Sequence, residues 1–244
     1  MRYFSELSYK GTNYHGWQKQ LNANSVQQEI EQAFSTILNT QIEVVGCGRT
    51  DTGVHASQYF MHFDFGGKWP EGFLGRVNKF LPKDIAVRSV YEVDENAHAR
   101  FDAKRRSYEY HLVFEKTPFE TETAWHYYLA KKMDVDKLNE AASLLLAYNE
   151  FFPFCKTNHD AKTMRCDLSR CEWVLGKKNK RLVFHISANR FLRGMVRLVV
   201  GMCVNVATGK LGIQKVREAM DKQAMLEKSW SVPAEGLFLS EVKY

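Results

Sequence analysis

The stretch GCGRTDTGVHAS, Gly46 to Ser57, sets Arg49, Thr50, Asp51 and His55 among three glycines within a dozen residues. It follows the apolar run Ile42–Val45 and precedes the alternating run Tyr59–Phe65, so it reads as a loop between two strands. A plain connection needs only a few turn residues. An aspartate bounded by glycine commonly caps a turn. A carboxylate beside an arginine in a defined loop can also act as an oxygen nucleophile. The tripeptide DTG occurs in aspartic proteases, where two such loops pair their carboxylates. This chain has one DTG, preceded by the polar Arg49 and Thr50, and the protease reading fits poorly.

Two other residues could take part in chemistry. Tyr108 lies on an alternating run with Tyr110 and Leu112, where a packed core tyrosine and an active-site ring are equally good readings. Arg197 is crowded by Val196, Leu198, Val199 and Val200, and a guanidinium buried among them needs a carboxylate partner. Arg190, Arg193 and Arg197 follow i, i+3, i+7 spacing, which on a helix puts them on one face. Cys155, His159, Cys166 and Cys171 fall within seventeen residues, but their spacing is wide and uneven, unlike the short pairs of zinc sites. We read the three cysteines as structural, free thiols and expect no metal.

The elements that must position these residues follow from pattern. Strands are expected at Tyr3–Tyr9, Ile42–Val45, Tyr59–Phe65, Ile85–Val93, Ser107–Phe114, Leu182–Ala188 and Leu237–Val242. Ser25 with Gln28 three residues on reads as the start of a helix, with Val26, Ile30, Ala33, Phe34, Ile37 and Leu38 as its apolar stripe. Further helices are expected at Gly72–Phe80, from Asp134 to Ala147, at Phe191–Ala207 ending at Gly209, and at Ile213–Met220. Strands and helices alternate in both halves. This predicts an α+β protein with a boundary near Ala103–Arg106: an N-terminal half, 1–104, carrying the Asp51 loop, and a C-terminal half, 105–244, carrying Tyr108 and Arg197.

The chain of 244 residues carries 34 Lys and Arg against 28 Asp and Glu, a formal net charge of +6, which favours a polyanionic partner. Arg100, Lys104, Arg105 and Arg106 concentrate charge between the halves, and Arg190 and Arg193 suit phosphate contacts. Lys177, Lys178, Lys180 and Arg181 read equally as a solvated hairpin turn. No signal-like segment opens the chain, its most apolar stretch is too short to span a membrane, and five cysteines in an odd set suit a reducing compartment. These features predict a cytoplasmic protein without membrane contact.

Read together, YKGTNYHGWQKQ with SVQQEIE, VVGCGRTDTGVHA, ARFDAKRRSYEY, NRFLRGMVRLVVG and PAEGLFL resemble, in order and through nearly the whole chain, the TruA family of tRNA pseudouridine synthases. The resemblance implies the pseudouridine synthase fold, two similar α+β halves around a mainly antiparallel sheet with a central cleft. It implies isomerisation of uridine to pseudouridine in the anticodon arm of tRNA, by a homodimer, without cofactor or metal. It places the catalytic aspartate at Asp51, the active-site tyrosine at Tyr108, a catalytic arginine at Arg197 and the loop arginine at Arg49 beside Thr50. Leu237 falls in the apolar lining of the uracil pocket, and Asp51 becomes the carboxylate expected to partner Arg197. Phe152 and Pro153 depart from the small or hydroxyl residues commoner in that segment of the family. The rival from another class is a non-enzymatic module that binds structured RNA, which explains the charge and the aromatics but not the Asp51 loop.

Overall fold

Tyr3, Ser5 and Leu7 point to one side of strand β1 (Arg2–Tyr9), and Phe4 and Glu6 to the other, the two-residue period of a strand. In the computed structural model, which describes residues 1–156, 162–176 and 180–244, β1 is the centre of an α+β unit made of Met1–Lys104 and Phe238–Tyr244. It pairs antiparallel with β3 (His55–Asp64) and β4 (Ile85–Val93), setting Tyr3 opposite Phe63, Ser5 opposite Met61 and Leu7 opposite Tyr59. At the other edge of β3, Phe238 and Leu239 of β9 (Leu237–Lys243) lie parallel to His55 and Ala56.

Helices α1 (Val26–Leu38) and α2 (Phe73–Phe80) cover one face of this sheet, with the Phe34 ring edge-on to Phe63 at 5.1 Å and to Phe73 at 5.3 Å. Ser25 caps α1 by accepting the Gln28 N–H at 3.3 Å. On the other face the Tyr244 ring packs against Phe4 and Phe60, and its hydroxyl donates to the Ala99 carbonyl at 2.7 Å. Both faces of β3 are therefore buried, including Phe60 and His62.

The strand expected over Ile42–Val45 is not formed there. Only β2 (Val45–Gly46) pairs with β3. The backbone before it is satisfied by α1 instead. Ser35 Oγ accepts from Ile42 N (2.9 Å), Glu31 accepts from Val44 N (3.3 Å), and Gln27 Nε2 donates to Val44 O (3.0 Å). Ile42 and Val44 are buried as an apolar strand would bury them, but against a helix rather than in a ladder.

The second unit, Arg105–Leu237, is also α+β. Strand β5 (Arg105–Val113) takes β8 (Arg181–Ala188) antiparallel, β7 (Leu168–Leu175) follows β8 antiparallel, and the short β6 (Trp125–His126) adds parallel to β5. Alternation does not announce β7, whose LSRCEWVL buries only Cys171 and Trp173. Helix α3 (Val135–Leu144) starts at the expected Asp134, which accepts from Asp136 N at 2.9 Å, and its last turn to Ala147 tightens to a 3-10 turn. Helix α4 (Met195–Ala207) is buried over most of its circumference, and α5 (Ile213–Lys222) follows it.

One expectation about α4 is corrected. The helix does not begin at Phe191 but at Met195, after Gly194 in the left-handed region at φ 73°. Arg190 and Arg193 therefore precede the helix, and the shared face with Arg197 does not exist.

Candidate active site

The loop that carries Asp51 is fixed by its neighbours in the first unit. Tyr59 donates its hydroxyl to the Gly48 carbonyl, and the Cys47 N–H reaches Phe60 O at 2.8 Å. Thr50 Oγ1 and the Tyr9 hydroxyl share a hydrogen bond of 2.8 Å, with both residues buried. The Trp17 ring stacks on Tyr59 at 4.1 Å, and the Trp17 backbone N–H donates to Thr50 O at 3.4 Å. The Gly53 N–H meets Tyr14 O at 3.3 Å, and Val54 N–H closes the turn on Asp51 O at 3.1 Å. Gly16, at φ 93°, lies so close that a Cβ on it would sit 2.3 Å from Thr50 O. The backbone on both sides of Asp51 is thus held, with Asp51 half-buried and Arg49 exposed. Rigid placement of a carboxylate is what a catalytic group needs.

His55, the other chemical side chain of this loop, has a structural task. It is fully buried, its Nδ1 accepts the Gly11 N–H at 2.9 Å, and its ring packs on Phe238 at 4.6 Å. Sequence reasoning misses the supporting set of Tyr9, Trp17 and Tyr59, which comes from β1, the following loop and β3. The aromatic residues in YKGTNYHGWQKQ are the signal that could have found part of it.

In the second unit, Tyr108, Tyr110 and Leu112 share one face of β5, yet their environments differ. Tyr110 and Leu112 are wholly buried, whereas Tyr108 is half-exposed with its ring edge-on to Phe191 at 5.2 Å. The core is therefore filled by Tyr110, and Tyr108 stands at the margin, where a ring can meet a ligand. Tyr110 donates its hydroxyl to Pro233 O at 2.8 Å, and burial pushes its pKa well above the ordinary phenol value.

Arg197, half-buried on α4, donates from Nε to Val232 O at 2.6 Å. Adjacent carbonyls of one segment are thus gripped by the helix and by β5. A Cβ on Gly236 would lie 2.8 Å from His111 O and from the Tyr110 ring, so the segment lies flat on β5 before Leu237 enters β9, buried. The strap Val232–Gly236 brings Arg197, Leu237 and the strand of Tyr108 into one assembly within this unit.

The basic candidates are spread over both units. Arg100 and Lys104 are exposed in the first, while Arg105 and Arg106 are half-buried at the start of β5, with Arg106 donating to Asn189 O at 3.1 Å. Arg193 is exposed and Arg190 half-buried before α4. In the hairpin cluster Lys180 lies 3.9 Å from Glu115, and Arg181 is paired with Glu120, so part of that charge is neutralised locally. Lys177, Lys178 and His159 lie outside the described residues. Among the described residues no group of three or more His, Cys, Asp and Glu is placed to hold a metal. Burial pushes the Cys166 thiol up to about 11 and that of Cys203 up to about 12, which suppresses thiolate chemistry. Among the described residues no helix is long and apolar enough to cross a membrane. Phe152 and Pro153 form a 3-10 turn with Phe154, in which Pro153 is buried.

A family model described as tRNA pseudouridine synthase matches residues 7–102 and 141–244, spanning the Asp51 loop, α4 and the strap. The chain belongs to the tRNA pseudouridine synthase family. Among its relatives, a protein of Porphyromonas gingivalis named tRNA pseudouridine synthase A is 42% identical over 246 residues, covering 100% of this chain and 97% of its own. One of the same name from Bacteroides thetaiotaomicron is 42% identical, covering 100% of this chain and 90% of its own. A more distant one from Acetivibrio thermocellus is 34% identical, with 98% and 97% covered. The chain has the α+β organisation that its strand and helix pattern predicts and the mainly antiparallel strand pairing that the family resemblance implies.

Proposed function

We propose that this pseudouridine synthase isomerises uridine to pseudouridine in the anticodon arm of tRNA, with Asp51 as its catalytic carboxylate. The observation that carries the reading is the family match over residues 7–102 and 141–244, with relatives alike over the whole chain, together with a half-buried aspartate on a loop whose backbone is hydrogen-bonded on both sides of it. In the reaction the N1–C1′ bond breaks, the base turns, and C5 joins C1′. The C5 hydrogen leaves as a proton and N1 takes one up, so the isomerisation balances without an oxidant or a second substrate. An ionised carboxylate can support the positive charge that develops on the ribose or attack the base. No water need be activated, and a detached uracil beside an electrophilic sugar must be shielded from it. Leu237 and the Tyr108 ring supply apolar walls for that purpose. The Tyr108 ring stacks on uracil, and its phenol carries the C5 proton. Arg197 is the catalytic arginine of this proposal, held on α4 by its Nε donor to Val232 O.

A base inside a structured arm has to be extruded, at a cost of a few kcal/mol. Arg49 and Thr50 hold the extruded uridine. Arg100, Lys104, Arg105, Arg106, Arg190 and Arg193 bind phosphates, the dominant source of affinity for RNA. The working protein is a cytoplasmic homodimer in this proposal. Incubation with unmodified tRNA followed by chemical mapping of pseudouridine tests the reading. New pseudouridine in the anticodon arm supports it, and tRNA binding without any modification supports the non-enzymatic module instead.

A further inference from the structure

Phe101 is 74% exposed, on a turn that is built before anything binds to it. The His98 N–H donates to Asp102 Oδ2 at 2.7 Å, and the Asp102 N–H returns to His98 O at 3.0 Å. The His98 ring accepts on Nδ1 from Arg100 N (3.1 Å) and Phe101 N (3.3 Å). Behind the phenyl ring stands the His98 imidazole at 4.2 Å, and behind that His62 at 4.6 Å, itself anchored by the Ala99 N–H at 3.1 Å. The Arg100 guanidinium lies 5.7 Å from the Phe101 ring centre, and Arg100 and Lys104 are both exposed.

A single exposed aromatic needs no explanation by itself. This one is held out to solvent by a hydrogen-bonded turn, backed by the His98 and His62 rings and accompanied by the exposed Arg100, with the exposed Lys104 three residues further along the chain. An exposed aromatic face with basic side chains nearby is the combination that receives an unpaired nucleobase and its backbone. A docked protein would call for a contiguous apolar patch rather than one ring beside a cation.

We infer that Phe101 is a stacking platform for an unpaired base of the bound tRNA, with Arg100 and Lys104 on the neighbouring phosphates. The inference rests on tRNA being the substrate. Removal of the ring should weaken binding roughly 5- to 150-fold, the range found for single base–aromatic stacks. Phe101→Ala, Phe101→Leu and Phe101→Trp are compared for Kd with unmodified tRNA and with a short single-stranded uridine-containing RNA, alongside KM, kcat and sedimentation of the free proteins.

The expected result is that Ala and Leu both lose affinity, that Trp retains it, and that the loss falls on KM rather than kcat. Affinity unchanged in Phe101→Ala overturns the inference. So does full rescue by Leu, since that would make the contact apolar rather than stacked, and so does a change in sedimentation, which would assign the ring to a protein contact. A wild-type protein that modifies tRNA while Phe101→Ala binds normally removes this inference alone. A wild-type protein that neither binds nor modifies tRNA removes the proposed function with it.

Discussion

Replacement of Gly16 by alanine tests whether the packing beneath the Asp51 loop sets its activity. Gly16 has φ 93°, and its new Cβ would lie 2.3 Å from Thr50 O and 3.3 Å from Asp51 C. Gly72 supplies an internal comparison, because at φ 64° it shares the left-handed backbone but has open space around it. The conformational cost of a Cβ in that region is about 1–2 kcal/mol, common to both variants. At Gly16 the obstacle is backbone, which no rotamer change can relieve, and overpacking of this kind adds about 1–3 kcal/mol. Gly72→Ala should therefore cost about 1–2 kcal/mol and Gly16→Ala about 2–5 kcal/mol. At roughly 2–4 °C per kcal/mol for a chain of this size, melting should fall by about 2–8 °C and about 4–20 °C. The decisive difference is in turnover. Relief of the clash moves the Thr50–Asp51 peptide, and a displacement of about 1 Å can lower a rate about 100-fold. Single-turnover rates on tRNA, taken below both melting points, should drop in Gly16→Ala and stay near wild type in Gly72→Ala. Equal rates in the two variants would refute the claim that this contact places the catalytic loop.

Other outcomes follow from the second unit and from the buried histidine. Tyr108→Phe keeps the ring against Phe191 and should bind tRNA normally while turning over more slowly. A wild-type single-turnover rate would leave Tyr108 with stacking alone. Arg197→Lys retains charge but loses the planar fork and the Nε donor to Val232, so kcat should fall well beyond any loss of tRNA affinity, and parallel losses in kcat and Kd would contradict the assigned role. Burial, with the charges of His98 and Arg2, lowers His62 from 6.5 to about 4. The unfolded chain then takes up a proton before the folded one does, so the His62 contribution to stability should be constant above about pH 6.5 and decline as pH falls toward 4. Denaturant titrations across that window, with His62→Asn flattening the decline, check this. An unchanged slope in the variant would assign it elsewhere.

Patterns that depend on local alternation translate well into this structure. Ser25 caps α1, Ile85–Val93 is β4 residue for residue, and Gly209 follows α4 in the left-handed region. The failures arise where a tertiary partner replaces a local one. Ile42–Val45 has the apolarity of a strand, but Gln27, Glu31 and Ser35 of α1 take its backbone groups. Arg190, Arg193 and Arg197 have helical spacing, but spacing alone does not show that Gly194 turns the chain between them. At the candidate site, the suspicion about Asp51 comes from residue types within one loop. The supports from Tyr9, Trp17 and Tyr59, and the strap from Val232 to Gly236, are made by residues distant in sequence, which no short window contains. Tyr108 is the middle case. The strand face it occupies was visible from alternation, whereas its exposure depends on where the core ends along β5.

The central claim is that Asp51 drives exchange of the N1–C1′ bond for a C5–C1′ bond, and release of the C5 hydrogen reports that exchange directly. Unmodified tRNA labelled with tritium at C5 of its uridines is incubated with the wild-type protein and with Asp51→Asn, after equal tRNA affinity and equal melting have been established for the two. The account predicts tritium release into water by the wild type, matched by pseudouridine in the anticodon arm, and none above background from Asp51→Asn, since an amide cannot serve as the nucleophile. Release by the variant at the wild-type rate, or tight tRNA binding by the wild type without release, would contradict it.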